Sequence, residues 1–123
     1  MKFYISSRVS EKQKTAELTK LLESKGHAVT LDWTQLGELK PYEVDQKRSA
    51  RVAADMVKAV QGADVFVFFP DVGGTGTYAE LGVALAEDKK IFVVGDFVKP
   101  IFLFHPLVTR VSSVQELEEK LEQ

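Results

Sequence analysis

Apolar positions along this chain fall into two kinds of run, and their alternation sets the first expectation. Short aromatic and β-branched stretches, Lys2 to Ser6, Ala28 to Leu31, Val65 to Phe69, Ile91 to Val94 and Leu107 to Val111, read as strands. Val65 to Phe69 is apolar at every position, as expected of a central parallel strand covered on both faces. Between these runs the spacing turns helical. Leu18, Leu21 and Leu22 follow Ser10 and Gln13, which have the spacing of a capping box, and Gly26 supplies a stop. Ala53, Met56, Val57 and Val60 mark one face of a second helix that closes at Gly62. Leu81, Ala84 and Leu85 point a third helix, Thr77 to Glu87, inward. Ser113 and Glu116 form a second capping box before Leu117 and Leu121. Asp32 to Pro41 and Phe97 to Pro106 have no clear period and read as loops.

Strands alternating with helices predict an α/β fold: a doubly wound parallel sheet of four to five strands with helices on both faces. No repeat or low-complexity tract divides the chain, so residues 1–123 are expected to form one domain. In such sheets ligands bind beyond the carboxyl ends of the strands. Three such ends stand out: Ser6-Ser7-Arg8, Pro70 to Thr77, and Gly95-Asp96. They share one crevice if the first, third and fourth strands adjoin.

Composition narrows the function classes. The chain is 45% hydrophobic and 28% charged, an ordinary globular balance. A net charge of −2 gives no reason to expect nucleic-acid binding by phosphate neutralisation. Cysteine is absent, which excludes disulfides, thiolate metal sites and cysteine nucleophiles. The longest apolar runs are strand-length, so neither a membrane span nor a signal peptide is expected, and a cytoplasmic location fits. His27 and His105 lack metal-ligand spacing.

The chemistry concentrates after the third strand. Gly73-Gly74-Thr75-Gly76-Thr77-Tyr78-Ala79-Glu80 brings flexible backbone, hydroxyls and a carboxylate to the mouth of the sheet. Gly73, Gly74 and Gly76 permit close backbone approach, and Thr75 and Thr77 add hydroxyls, so this turn can cradle a phosphate or ribosyl hydroxyls; a plain βα turn is the alternative. Glu80, expected in the first helical turn, either complements the helix dipole or acts as a nucleophile toward an anomeric carbon. Asp71, just past the strand, either caps the turn or meets a sugar or base. Asp55 reads by default as a surface residue, Tyr4 as core, and Ser7 and Arg8 as a phosphate contact or solvated groups. Trp33 either packs or stacks on a base.

The chain resembles the nucleoside 2-deoxyribosyltransferase family, including its 2′-deoxynucleoside 5′-phosphate N-hydrolase branch. The likeness rests on Lys2-Phe3-Tyr4-Ile5-Ser6, Ala63-Asp64-Val65, Gly76-Thr77-Tyr78-Ala79-Glu80-Leu81-Gly82-Val83-Ala84, and Lys89-Lys90-Ile91. It implies a flavodoxin-like, Rossmann-like core. It implies Glu80 as the nucleophile that attacks C1′ and displaces the base, Tyr4 as the residue that orients it, and Asp55 or Asp71 as the assisting acid. Ser7, Arg8 and Gly74 to Gly76 would bind a 5′-phosphate. A homodimer or larger assembly, with a neighbouring subunit completing the site, is also implied, and neither a metal nor another cofactor is. The run Gly73 to Glu80 also fits the GGxGTxxE motif of cytokinin-activating phosphoribohydrolases. Both likenesses point to cleavage or exchange of an N-glycosidic bond in (deoxy)nucleosides or their 5′-monophosphates. A non-catalytic nucleotide-binding or sensing module is the reading from another class.

Overall fold

A computed structural model of the chain describes residues 1–71 and 74–123; Gly73, expected in the phosphate-cradling turn, lies outside them. Five strands, β1 (Lys2–Ser6), β2 (Ala28–Val29), β3 (Val65–Phe68), β4 (Lys90–Val94) and β5 (Val108–Val111), form a parallel sheet in the order β2-β1-β3-β4-β5. Four helices connect them: α1 (Lys12–Ser24), α2 (Gln46–Gly62), α3 (Thr75–Ala86) and α4 (Val114–Leu121). This is the doubly wound parallel sheet expected from the alternation of strands and helices, and its strand order is the flavodoxin-like one that the resemblance implies.

Side chains alternate across the sheet, and so does the core. Tyr4, Phe66, Phe68, Ile91 and Val93 pack on one face against Ala59 and Val60 of α2 and Leu81 and Ala84 of α3. Phe3, Ile5, Val65, Val67 and Phe92 pack on the other against Leu18 and Leu22 of α1 and Leu117 of α4. Every residue of β3 is buried, so both of its faces must be apolar.

The helix ends differ from the capping patterns in informative ways. Ser10 sits inside a one-turn 3-10 helix, Val9–Glu11, and α1 begins at Lys12 with no side-chain cap. The tight turn absorbs the change of direction at the end of β1, with the Glu11 N–H donating to the Arg8 carbonyl at 2.9 Å. Ser113 caps α4 as expected, accepting from the Glu116 N–H at 3.1 Å. The Glu116 carboxylate, however, accepts from the N–H and hydroxyl of Ser112 and not from the cap residue itself, and these bonds hold its carboxyl below the usual range. Gly26 ends the first helical segment with φ +88°, a conformation that needs no Cβ.

On α2 the buried residues are Ala59 and Val60, with Met56 partly buried; Ala53 and Val57 face outward, contrary to the stripe read from their spacing. The helix spans two neighbours, the sheet and α3, and its inward arc is rotated toward them. Two segments read as loops carry one-turn 3-10 helices, Trp33–Gln35 and Ile101–Phe104.

Candidate active site

The chain leaves β1 toward the face covered by α1 and leaves β3 toward the face covered by α3. Because β1 and β3 are neighbours, the two connections part and open a crevice between them. The ends of β1, β3 and β4 do adjoin, as the shared-crevice expectation required.

Tyr4 and Ser6 stand two residues apart on β1 and so point to the same side of the sheet. That side is the one α3 covers, and both side chains reach Glu80. The Tyr4 hydroxyl donates to Oε2 of Glu80 in a short hydrogen bond, and the Ser6 hydroxyl donates to Oε1 at 2.7 Å. Both residues are fully buried. Glu80 lies in the second turn of α3, not the first, because the helix starts at Thr75. The helix dipole fades beyond the first turn, so it contributes little at Glu80. The carboxylate is held instead by the two hydroxyl donors of β1.

Electrostatically, Glu80 is pulled two ways. Burial pushes its carboxyl above the usual range, while the bonds from Tyr4 and Ser6 favour the charged form and limit the rise. Burial, then the charge of Glu80 and its hydrogen bond, push the Tyr4 phenol far above its ordinary range. All of these causes favour the protonated phenol, the form in which Tyr4 donates to Glu80. A half-buried, partly desolvated carboxylate gripped by donors on both oxygens can attack an electrophilic carbon.

The other expected site residues lie as follows. Arg8, past the end of β1, lays its side chain over Gly74, where a Cβ would come within 2.9 Å of its Cγ. Its guanidinium sits 3.4 Å from the Asp71 carboxylate, an exposed pair of small energetic weight. Gly74 has φ +81°, so it supplies the left-handed turn that leads into α3. Thr75 and Gly76 are exposed in the first turn of α3. Thr77 is buried and its hydroxyl donates to the Gly74 carbonyl at 2.5 Å, closing the turn. The Ser7 hydroxyl is bonded to Thr15 of α1 at 2.8 Å and points away from Glu80, onto the opposite face. Asp55 is exposed on α2. Arg8, Asp71 and Gly74 to Thr77 are thus gathered at one mouth, and Tyr4 is brought to Glu80.

Ser6 is the residue that the sequence reading passed over as a site residue. The available signal was its parity: in a strand of apolar side chains, a serine shares the Tyr4 side. Trp33 is packed, not free to stack: it is buried, and its Nε1–H donates to the Ile5 carbonyl at 2.8 Å. The Tyr78 hydroxyl is buried without a hydrogen-bond partner among the described residues. Two grooves, of about 470 and 360 Å³, open on the α1 side of the strand ends near Lys14, Phe69 and Gly95; Glu80 lines neither. The described residues contain no group of His, Asp and Glu side chains able to hold a metal ion.

No family model matches the sequence, and no curated protein does. Solved structures do match it. A CMP N-glycosidase of Clostridium botulinum, BcmB, aligns over 100% of both chains with 22% identity and a TM-score of 0.66. A 2-deoxyribosyltransferase of Bacillus psychrosaccharolyticus aligns over 96% of this chain and 90% of its own, with 18% identity and a TM-score of 0.74. The chain has their fold. That is the fold implied by the resemblance to the nucleoside 2-deoxyribosyltransferases. No helix among the described residues is long and apolar enough to cross a membrane.

Proposed function

We propose that this protein is an enzyme that cleaves or exchanges the N-glycosidic bond of (deoxy)nucleosides or their 5′-monophosphates, with Glu80 as nucleophile. The observation that carries the reading is the Glu80 carboxylate, half-buried at the β1/β3 crevice and held on both oxygens by Tyr4 and Ser6. Two solved structures that share the fold are an N-glycosidase and a deoxyribosyltransferase, which supports the same class of chemistry here.

In this reading one Glu80 oxygen forms a bond to C1′ as the C1′–N bond breaks. The base leaves with the bonding pair and takes a proton, for which Asp71 and Asp55 are the candidate donors. Water or a second base then attacks C1′, giving its proton to the carboxylate that protonated the leaving base, as the C1′–O bond to Glu80 breaks and its electron pair returns to Glu80. Burial suits this cycle: a desolvated carboxylate is a stronger nucleophile than a hydrated one, provided it stays ionised. Arg8 and the first turn of α3, entered at Gly74 and continued by Thr75 and Gly76, bring a guanidinium and the backbone N–H groups of a helix start to one corner, which suits a 5′-phosphate able to compete with Asp71 for Arg8. Ser7 and Thr77 shape that corner through their bonds to Thr15 and Gly74 rather than through free hydroxyls.

The protein is further proposed to work as a homodimer or larger homo-oligomer. Ile101, Phe102 and Phe104 are exposed in the turn after β4, and Val57 in α2, so apolar surface is available for a second copy.

The test is chromatographic detection of free base after incubation with deoxynucleosides, ribonucleosides and their 5′-monophosphates, with and without a second base. Free base, or an exchanged nucleoside, that disappears in Glu80→Gln is the expected result. Exchange without net release assigns a transferase, and release without exchange a hydrolase. Silence across the panel, with nucleotides still raising the melting temperature, overturns the enzyme reading in favour of a sensing module.

A further inference from the structure

Ser6 is the last residue of β1, and its side chain is polar and fully buried. It pairs in register with Phe68, the last residue of β3, at the carboxyl ends of the two strands. A buried hydroxyl requires a partner, and the partner here is Oε1 of Glu80 at 2.7 Å. Packing alone would be served equally well by alanine.

The value of a second donor follows from the shape of a glutamate. Its terminal torsion is broad and roughly two-fold, so one hydrogen bond leaves the carboxylate free to turn about the bonded oxygen. Tyr4 holds Oε2, a long side chain reaching from lower on the strand. Ser6 holds Oε1, a short side chain from two residues further along. Bonds to both oxygens fix the plane of the carboxylate and favour its charged form.

We propose that Ser6 is a positioning residue for Glu80, holding the carboxylate in one orientation and keeping it ionised at the pH of turnover. This rests on the reading of Glu80 as nucleophile.

The surroundings leave few other groups to do this. Among the described residues, Tyr4 is the titratable side chain bonded to Glu80. Around α3, β3 contributes Phe66 and Phe68, β4 contributes Ile91 and Val93, and α2 contributes Met56, Ala59 and Val60 to the shared cluster. The charged residues in the middle of α2, Arg51, Asp55 and Lys58, are exposed. Asp71 and Arg8 pair with each other at the mouth.

The experiment compares wild type, Ser6→Ala and Ser6→Cys. The Glu80 side-chain carboxyl carbon is titrated by NMR, with its resonance assigned by its loss in Glu80→Gln. The pH dependence of kcat and KM is measured alongside. In Ser6→Ala the Glu80 midpoint and the acid limb of kcat should both move to higher pH, and kcat at neutral pH should fall about tenfold with KM little changed. Ser6→Cys, a weaker donor of similar size, should fall between, and carries the same measurement should Ser6→Ala fail to fold. A folded variant whose Glu80 midpoint and acid limb coincide with wild type overturns the proposal and leaves Ser6 as space-filling. The titration reads Ser6 whether or not turnover is found. Absence of released base from the wild type would therefore sink the enzymatic reading, while an unmoved midpoint would sink the role of Ser6.

Discussion

Glu80 is costly to the fold and central to the proposed chemistry, and the two facts have one cause. Its carboxyl is raised by burial, so the folded protein binds its proton more tightly than the unfolded chain does. The stability contribution of such a group is fully present below the unfolded pKa and is lost as pH rises through the folded value. At neutral pH the charge therefore destabilises the fold. Glu80→Gln should melt higher than wild type at pH 7, and the gap should narrow as pH falls through the ordinary carboxylate range. Its turnover should fall on the order of 10³-fold or more, because an amide oxygen cannot replace the attacking carboxylate. Melting curves at several pH values, set against base release, check both halves. Tyr4→Phe removes the donor on Oε2 without changing the ring. It should lower kcat on the order of 10²-fold and move the acid limb of the pH profile upward, since the charged form of Glu80 loses a bond.

At the scale of elements, the start of α3 and the connection after β2 are fixed by backbone turns and side chain–carbonyl bonds. Gly74 turns the chain with φ +81° beneath the Arg8 side chain. Gly74→Ala should cost about 1–3 kcal/mol in chemical denaturation, since alanine is strained at that φ and its Cβ would meet Arg8 Cγ and Thr77 Oγ1. It should also raise KM for 5′-monophosphates more than for unphosphorylated nucleosides, because Arg8 must shift. The connection after β2 is anchored twice. Trp33 donates to the carbonyl of Ile5, and Arg48 of α2 donates to the carbonyls of Leu36 and Glu38 at 2.6 and 2.9 Å. Trp33→Phe leaves the Ile5 carbonyl of β1 without this donor and should cost about 1–3 kcal/mol, read from the urea midpoint. Sequence periodicity described these connections poorly, because 3-10 turns and side chain–carbonyl bonds leave no regular apolar spacing. It described the helices better, yet misplaced the start of α3 at Thr77 and with it the turn that holds Glu80. The helix extends back to Thr75 because Gly74 reverses the chain and accepts the bonds of the first turn, a feature of backbone conformation that composition does not encode.

Over the whole molecule, two apolar layers flank one parallel sheet, and the residues left outside them are as telling as those within. Ile101 is 78% exposed and Phe102 60% exposed, side by side in the turn after β4. Arg110 stacks its guanidinium 4.5 Å from the ring centroid of Phe104, which shields part of this surface and leaves the rest open. If a second copy covers it, Ile101→Asp with Phe102→Asp should shift the protein to a smaller species in light scattering while leaving the melting of that species cooperative. An unchanged mass would show that this surface is not the contact.

The sequence by itself determined the architecture, because strand and helix periods are local and a fully apolar central strand admits one environment, the middle of a parallel sheet. It also pointed to Glu80, since a glycine-rich turn leading into a helix with a carboxylate is a short-range pattern. The resemblance implied that Tyr4 orients this carboxylate, and only the tertiary structure showed Ser6 as its second donor. Ser6 and Tyr4 lie 74 and 76 residues from Glu80 along the chain, and no local pattern records such a meeting. The pairing of β1 with β3 and the packing of α3 above them create it. The same packing turned Trp33 inward, occupied the Ser7 hydroxyl with Thr15, and left Asp55 on the surface, since each depends on which face of a finished sheet the side chain meets.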